Sequence, residues 1–164
     1  MWIKAMFGKQ RATFIALFEP SMLNLSKMCA VYWSKPEHLD KMLKTRFVSI
    51  PYCHLIYAVN KYGKQISSNI NAYCIEHSYY NQDLSTRPYS ISFSKKRQFL
   101  LSTVYINQNT GRPCISAVQP VIDNSQQFLG FIMADFDYQQ LPLSLTPSNL
   151  QQTYQPSPCY GRSS

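Results

Sequence analysis

The stretch Gln98–Tyr138, QFLLSTVYINQNTGRPCISAVQPVIDNSQQFLGFIMADFDY, decides the fold. It holds three runs rich in β-branched and aromatic residues, at 99–107, 113–123 and 128–138. Asn-Thr-Gly and Asp-Asn-Ser between them are turn chemistry, so the stretch reads as a three-stranded meander. The last run is almost continuously apolar from Phe128 to Phe136 and carries two carboxylates near its end, Asp135 and Asp137. A strand covered on both faces has that pattern, which places it at the sheet centre with the acids at its mouth. Ser102, Thr103 and Asn107 mark the 99–107 run as an outer strand.

Upstream, CHLIYAVN (53–60) is a second run apolar on both faces, and Asn60-Lys-Tyr-Gly63 turns it into the more polar KQISSNI (64–70). The buried first and last strands both need central places. A five-stranded antiparallel sheet over 53–138 in the order 2-1-5-4-3 meets that need and leaves polar strands at the edges. Ahead of the sheet, Phe14, Phe18, Met22, Leu25, Cys29 and Tyr32 follow a helical period, with Pro20 expected to kink or divide the helix. Ser34-Lys-Pro-Glu37 reads as a capping box opening a second helix with Leu39, Met42, Leu43 and Phe47 on one side. The fold class is α+β, with N-terminal helices over 10–47 lying across one sheet face.

The length of 164 residues suits one domain, assigned to 1–141, while the Ser-, Gln- and Pro-rich 142–164 reads as an extended or disordered tail. A mean hydropathy of −0.25 is that of a soluble chain, and no run approaches the ~20 apolar residues of a membrane helix. Lys9 and Arg11 interrupt the apolar start, which argues against a signal peptide. The net charge of +8 is scattered, with only Lys95-Lys96-Arg97 forming a run, so a nucleic-acid footprint is not expected and an anionic small ligand stays open. Five cysteines without framework spacing predict free thiols and a cytoplasmic setting.

About 27 residues, Asn71 to Arg97, separate the second and third strands, the length of a functional loop. Its tyrosines with Asp83 and Arg87 suit a lid over a small ligand. The alternative is that Asp83 and Arg87 pair along a short helix while the tyrosines cover the sheet. A Cys-dependent hydrolase would draw on Cys114 or Cys53 with His54 or His77 as base, and Asp83 or Asp135 behind it; nothing in the spacing assembles them. Cys53-His54 and Cys74-x-x-His77 lack a C-x-x-C pair, so no metal site is assigned. No catalytic residue and no cofactor are expected either, since the five glycines form no phosphate-cradling cluster.

Four ordered segments, NKYGKQIS (60–67), QDLSTRPY (82–89), LSTVYINQNTGRP (101–113) and LGFIMADFD (129–137), resemble the Cache, or PDC, family of sensor domains. These are extended PAS-like domains, and the likeness runs over roughly 10–141. The resemblance implies a non-catalytic sensory module that binds a small molecule between the sheet and the 71–97 loop and is normally coupled to a signalling output. It also implies the roles of the site residues: Arg87 and Tyr105 hold a ligand carboxylate and Asp135 an ammonium, with Tyr89 and Asp83 beside them. Tyr89 stands where Trp is usual, Ser90 replaces an aromatic and Ser92 an acid, which widens the ligand class to a carboxylate or another small metabolite. A homodimer through the N-terminal helix, with the pocket vestigial, is the competing reading of the same residues.

Overall fold

A computed structural model describes residues 2–85 and 98–142, with side chains from Gln10 onward. Helix α1 (Trp2–Val31) runs unbroken through Pro20, so the expected division does not occur. Pro20 is exposed, and its missing amide falls on the solvent side, where the helix tolerates the lost bond. The buried side carries the stripe Phe14, Phe18, Met22, Leu25 and Cys29. Phe18 stacks on Phe136 with ring centroids 4.1 Å apart, fixing the helix across the sheet.

Helix α2 (Pro36–Arg46) buries Leu39 and Leu43, but it does not begin with the expected capping box. Lys35 is the N-cap and no side chain caps the helix. Pro36, which has no amide to satisfy and a φ already suited to the first helical position, moves the start one residue beyond Ser34. Two polar side chains bolt α2 to the sheet. Asp40, itself buried, accepts from the backbone N–H and the hydroxyl of Ser68 at 2.9 and 2.7 Å. Lys44 Nζ donates to the carbonyls of Asn71 and Ala72.

The sheet is antiparallel, and it corrects the expected five strands in the order 2-1-5-4-3. Among the described residues seven strands occur: β1 (Leu55–Asn60), β2 (Asn69–Ile70), β3 (Ile75–Glu76), β4 (Leu100–Leu101), β5 (Tyr105–Ile106), β6 (Pro113–Ile122) and β7 (Phe128–Asp137). Their order is β3-β2-β1-β7-β6-β4, with β5 also on β6. The 99–107 run breaks in two because Ser102 turns its hydroxyl onto the Ser116 amide at 2.8 Å, ending regular pairing there. The 64–70 run keeps only its last two residues as strand, since the Ala58 amide donates to the hydroxyl of Ser67 instead of to a carbonyl. The turns form as read: Asn60, Asn107 and Asp123 each accept two backbone amides on one side-chain oxygen.

Strand β7 lies between β1 and β6, paired from Leu55↔Asp135 to Asn60↔Gly130 on one side and from Cys114↔Asp137 to Val121↔Gly130 on the other. One face of these strands presents Ile56, Ile115, Ala117, Ile132 and Phe136 to the helices. The opposite face collects Tyr57, Val59, Val118, Phe131 and Met133, together with Leu84. The assigned tail from 143 and the 86–97 part of the long loop lie outside the described residues.

Gly130 sits near the start of β7, between the ends of β1 and β6 and under the α1–α2 connection. Its φ is +154°, and a Cβ there would fall 2.2 Å from the Val59 carbonyl oxygen and 2.7 Å from the Trp33 ring. Gly130→Ala is therefore expected to cost at least about 3 kcal/mol, lowering the midpoint by roughly 6–12 °C in a domain of this size. Gly111→Ala, at φ +70° with nothing within 4 Å, is the control. It should lose only about 1–2 kcal/mol. Equal melting losses for the two variants would show that close packing at Gly130 is not limiting.

Candidate functional site

Strand β7 leaves its apolar stretch at Asp135, and register sets Ser116 of β6 directly opposite. The Ser116 hydroxyl donates to Asp135 Oδ1 at 2.6 Å. Ser116 has a single proton, so at its 2.6 Å contact with Tyr105 Oη the phenol is the donor. Cys114 Sγ in turn lies 3.5 Å from Tyr105 Oη. The result is a directed chain of donors, Tyr105 to Ser116 to Asp135, ending on a carboxylate that is 7% exposed. A buried carboxylate needs such partners to stay ionised.

A cavity of about 520 Å³ opens over this chain, walled by Tyr57, Gln65, Tyr79, Asp83, Tyr105 and Asp135 among others. Its outer wall comes from a local fold-back. The Gln65 amide donates to Gln82 O, the Asn81 amide to Gln65 O and the Leu84 amide to Gly63 O, which draws residues 81–84 along 63–65. Asp83 thereby bridges to Lys64, while the short helix expected to pair it with Arg87 runs outside the described residues. At the exposed rim the Ser85 side chain, and then the Ser85 amide that donates to Asp83 Oδ1 at 2.9 Å, hold the Asp83 carboxyl below the ordinary range. Tyr105, Asp135 and Asp83 are thus brought to one cavity, while Arg87 and Tyr89 lie outside the described residues.

Ser116, Gln65 and Asn69 were not singled out in the sequence. Gln65, almost fully buried, donates from Nε2 to Asn69 Oδ1 at 2.7 Å and to Ser67 O at 2.9 Å, holding the cavity wall beside β2. A buried Gln in a polar run is the signal that could have marked it.

The titratable groups nearby are tuned toward neutrality. Burial, and then the charge of Asp135, push the Tyr105 phenol far up, so it remains a donor. The same two causes push Cys114 up to about 12 and Cys53 well above the ordinary thiol range. Neither thiol is a ready thiolate nucleophile. His54 reaches Asp135 through its backbone amide, which donates to Asp135 O at 2.8 Å. His77 contacts Ser68 at 2.7 Å, beside Asp40, on the α2 side.

The expectation of five free thiols is corrected. Cys29, Cys53 and Cys114 are free and buried, whereas Cys74 is disulfide-bonded; Cys159 lies outside the described residues. Cys74 is half-exposed in the Asn71–Cys74 turn and open to pairing, while burial protects the other three. An odd count concealed this, because it mixed a bonded cysteine with core packing.

No family model matches the sequence, and no curated protein matches it. Solved structures do. An extracellular ligand-binding receptor from Desulfohalobium retbaense superposes at a TM-score of 0.60 with 15% identity, over 84% of this chain and 25% of that one. The sensory domain of the Campylobacter jejuni chemoreceptor Tlp3 with isoleucine bound gives 0.59 and 12%, over 82% and 55%. The Bacillus subtilis YkuI protein, with an EAL domain and in complex with c-di-GMP and calcium, gives 0.57 and 17%, over 80% and 34%. The chain therefore spans from a quarter to about half of these proteins, and it shares their fold over the part that superposes.

His54, at the edge of the site, supplies a pH test. Burial lowers its pKa from an ordinary value near 6.5, with Asp137 opposing and Arg112 adding to that shift. The unfolded chain takes up the proton first on acidification, so the contribution of His54 is complete above pH 6.5 and is lost as pH falls toward the folded pKa. His54→Gln should flatten the fall in stability as pH drops below 6.5, measured by urea unfolding. An unchanged slope would place the acid sensitivity elsewhere.

Proposed function

We propose that this chain is a non-catalytic sensory domain that binds a small metabolite, carboxylate or amino-acid-like, in the cavity over Asp135. The observation that carries this reading is the Tyr105–Ser116–Asp135 chain, which ends in a buried carboxylate at the cavity wall. Asp135 accepts from an amine or hydroxyl of the ligand, Tyr105 orients it, and Asp83 stands at the rim. Arg87 and Tyr89, from the segment that follows, supply the fork and the ring for the ligand's carboxylate, as the family resemblance implies. Residues 1–141 act as one ligand-binding unit in this reading, and a signalling output is coupled to it.

The competing dimer reading loses its main surface. The apolar stripe of α1 is spent on the sheet, so self-association would use what remains outside, where Leu23 is 43% and Val31 68% exposed. For compartment, a disulfide at Cys74 supports an oxidising setting over the cytoplasm expected from free thiols. Among the described residues no helix is long and apolar enough to cross a membrane.

A metabolite screen by thermal shift tests the reading. A ligand at 100 times its dissociation constant, binding only the folded state, stabilises by about 2.7 kcal/mol, or roughly 5–10 °C here. Asp135→Asn and Arg87→Ala should each abolish the shift while the ligand-free protein still folds. Arg87→Lys should keep part of it, since only the bidentate fork is lost. If Asp135→Asn unfolds the free protein but ligand affinity of the remaining folded fraction is unchanged, Asp135 is a structural partner and the assignment fails.

A further inference from the structure

A second cavity, of about 520 Å³, lies on the helix side of the sheet between α1 and the β6–β7 turn, away from Asp135. Its floor is Gln119, 5% exposed, and its walls include Leu23 and Lys27 of α1, Phe99, Ile122 and Asp123. The gap has a cause in the sequence. The Ser116 carbonyl accepts the Ser102 amide and the Ser116 amide donates to the Ser102 hydroxyl, so every second residue of β6 from there faces the β4 edge, and Pro120 is one of them. Proline has no amide to offer, and β4 pairing goes no further than Leu100↔Val118. The Pro120 carbonyl, left without a strand partner, is taken by Gln119, whose Nε2 donates to it at 3.2 Å.

That bond fixes the orientation of the amide, because turning it over would set Oε1 against another carbonyl oxygen. Oε1 is then directed away, buried, and no donor reaches it among the described residues. A buried acceptor without a donor is costly, and native proteins rarely leave one. Around it the cavity offers apolar surface at Leu23, Phe99 and Ile122, with Leu23 and Ile122 partly exposed. Among the described residues the charges on its walls are Glu19, Lys27 and Asp123, one more negative than positive.

We propose that this cavity is a second ligand site, taking a small amphiphile whose N–H donates to Gln119 Oε1 and whose short branched apolar body lies between Leu23 and Ile122. The excess of carboxylates selects a protonated primary amine over a carboxylate of the same shape. The site is independent of the cavity over Asp135, and a ligand there touches α1 directly.

Titration with 3-methylbutylamine at neutral pH, followed by backbone amide shifts, tests this, with 3-methylbutanoate as the matched anion. The amine should give saturable shifts at Leu23, Ser26 and Ile122, and the anion should not. Gln119→Met, which keeps the length of the side chain but removes the acceptor, should weaken the amine about tenfold, the ratio one ordinary hydrogen bond provides. Leu23→Arg, at a position 43% exposed, brings a positive charge to the wall and should abolish the amine response, so the test survives if the methionine variant fails to fold. Asp135→Asn should leave the response intact. The proposal is overturned if the amine gives no saturable shift, if Gln119→Met binds it as the parent does, or if Leu23→Arg leaves the response unchanged.

Discussion

Strand β7 has to be covered on both faces, and the rest of the molecule follows from that requirement. It is hydrogen-bonded along its length to β1 and β6, so neither of its edges is open. Its side chains alternate between the two faces, and each face needs its own lid. The helices supply one, with Phe18 on Phe136 at the centre of the contact. The fold-back at 81–84, carrying Leu84, supplies the other. Gly130 permits both at the upper end, where a larger residue would collide with β1 and Trp33.

The candidate site arises where, among the described residues, that covering is incomplete. Toward its C-terminal end, β7 exchanges Phe131 and Met133 for Asp135 on the same face. A carboxylate at that depth is tolerable only with donors arranged around it, and Ser116 and Tyr105 are placed by strand register to be those donors. The negative charge then acts on its neighbours, raising Cys53, Tyr105 and Cys114. A centre that holds its thiols and phenol protonated is suited to recognition by hydrogen bonding. It is poorly suited to nucleophilic chemistry.

The apolar runs made the central pairing legible: β1 and β7 read as buried on both faces, and they are neighbours. The stripe of α1 was legible for the same reason, since Phe14, Phe18, Met22, Leu25 and Cys29 leave no other face to bury. What sequence periodicity missed were side chains replacing backbone partners. Ser67 shortens one strand and Ser102 divides another by bonding amides that pairing rules assign to carbonyls, and β3 adds one more from the segment read as a loop. Ser116 was hidden by a register shift. Counting back from Ile122↔Phe128 puts it opposite Ala134, but an irregularity at Val121/Ile122 moves the pairing by one and brings it to Asp135. Tyr105 and Asp135 could be named because the resemblance carried them and Asp83 because the composition of its loop did, whereas the buried Gln65 and Gln119 belong to this chain's own packing.

Whether the cavity over Asp135 holds a small molecule is the most direct question the structure raises. Native mass spectrometry of the freshly purified protein, followed by a crystal structure of the same preparation, answers it. The account predicts an added mass in the range of a small metabolite and density with a donor atom about 2.7–2.9 Å from Asp135, the distance of a charge-assisted hydrogen bond. A protein that carries no added mass, gives no response across amino acids and organic acids, and shows Asp135 closed off by its own side chains would contradict it.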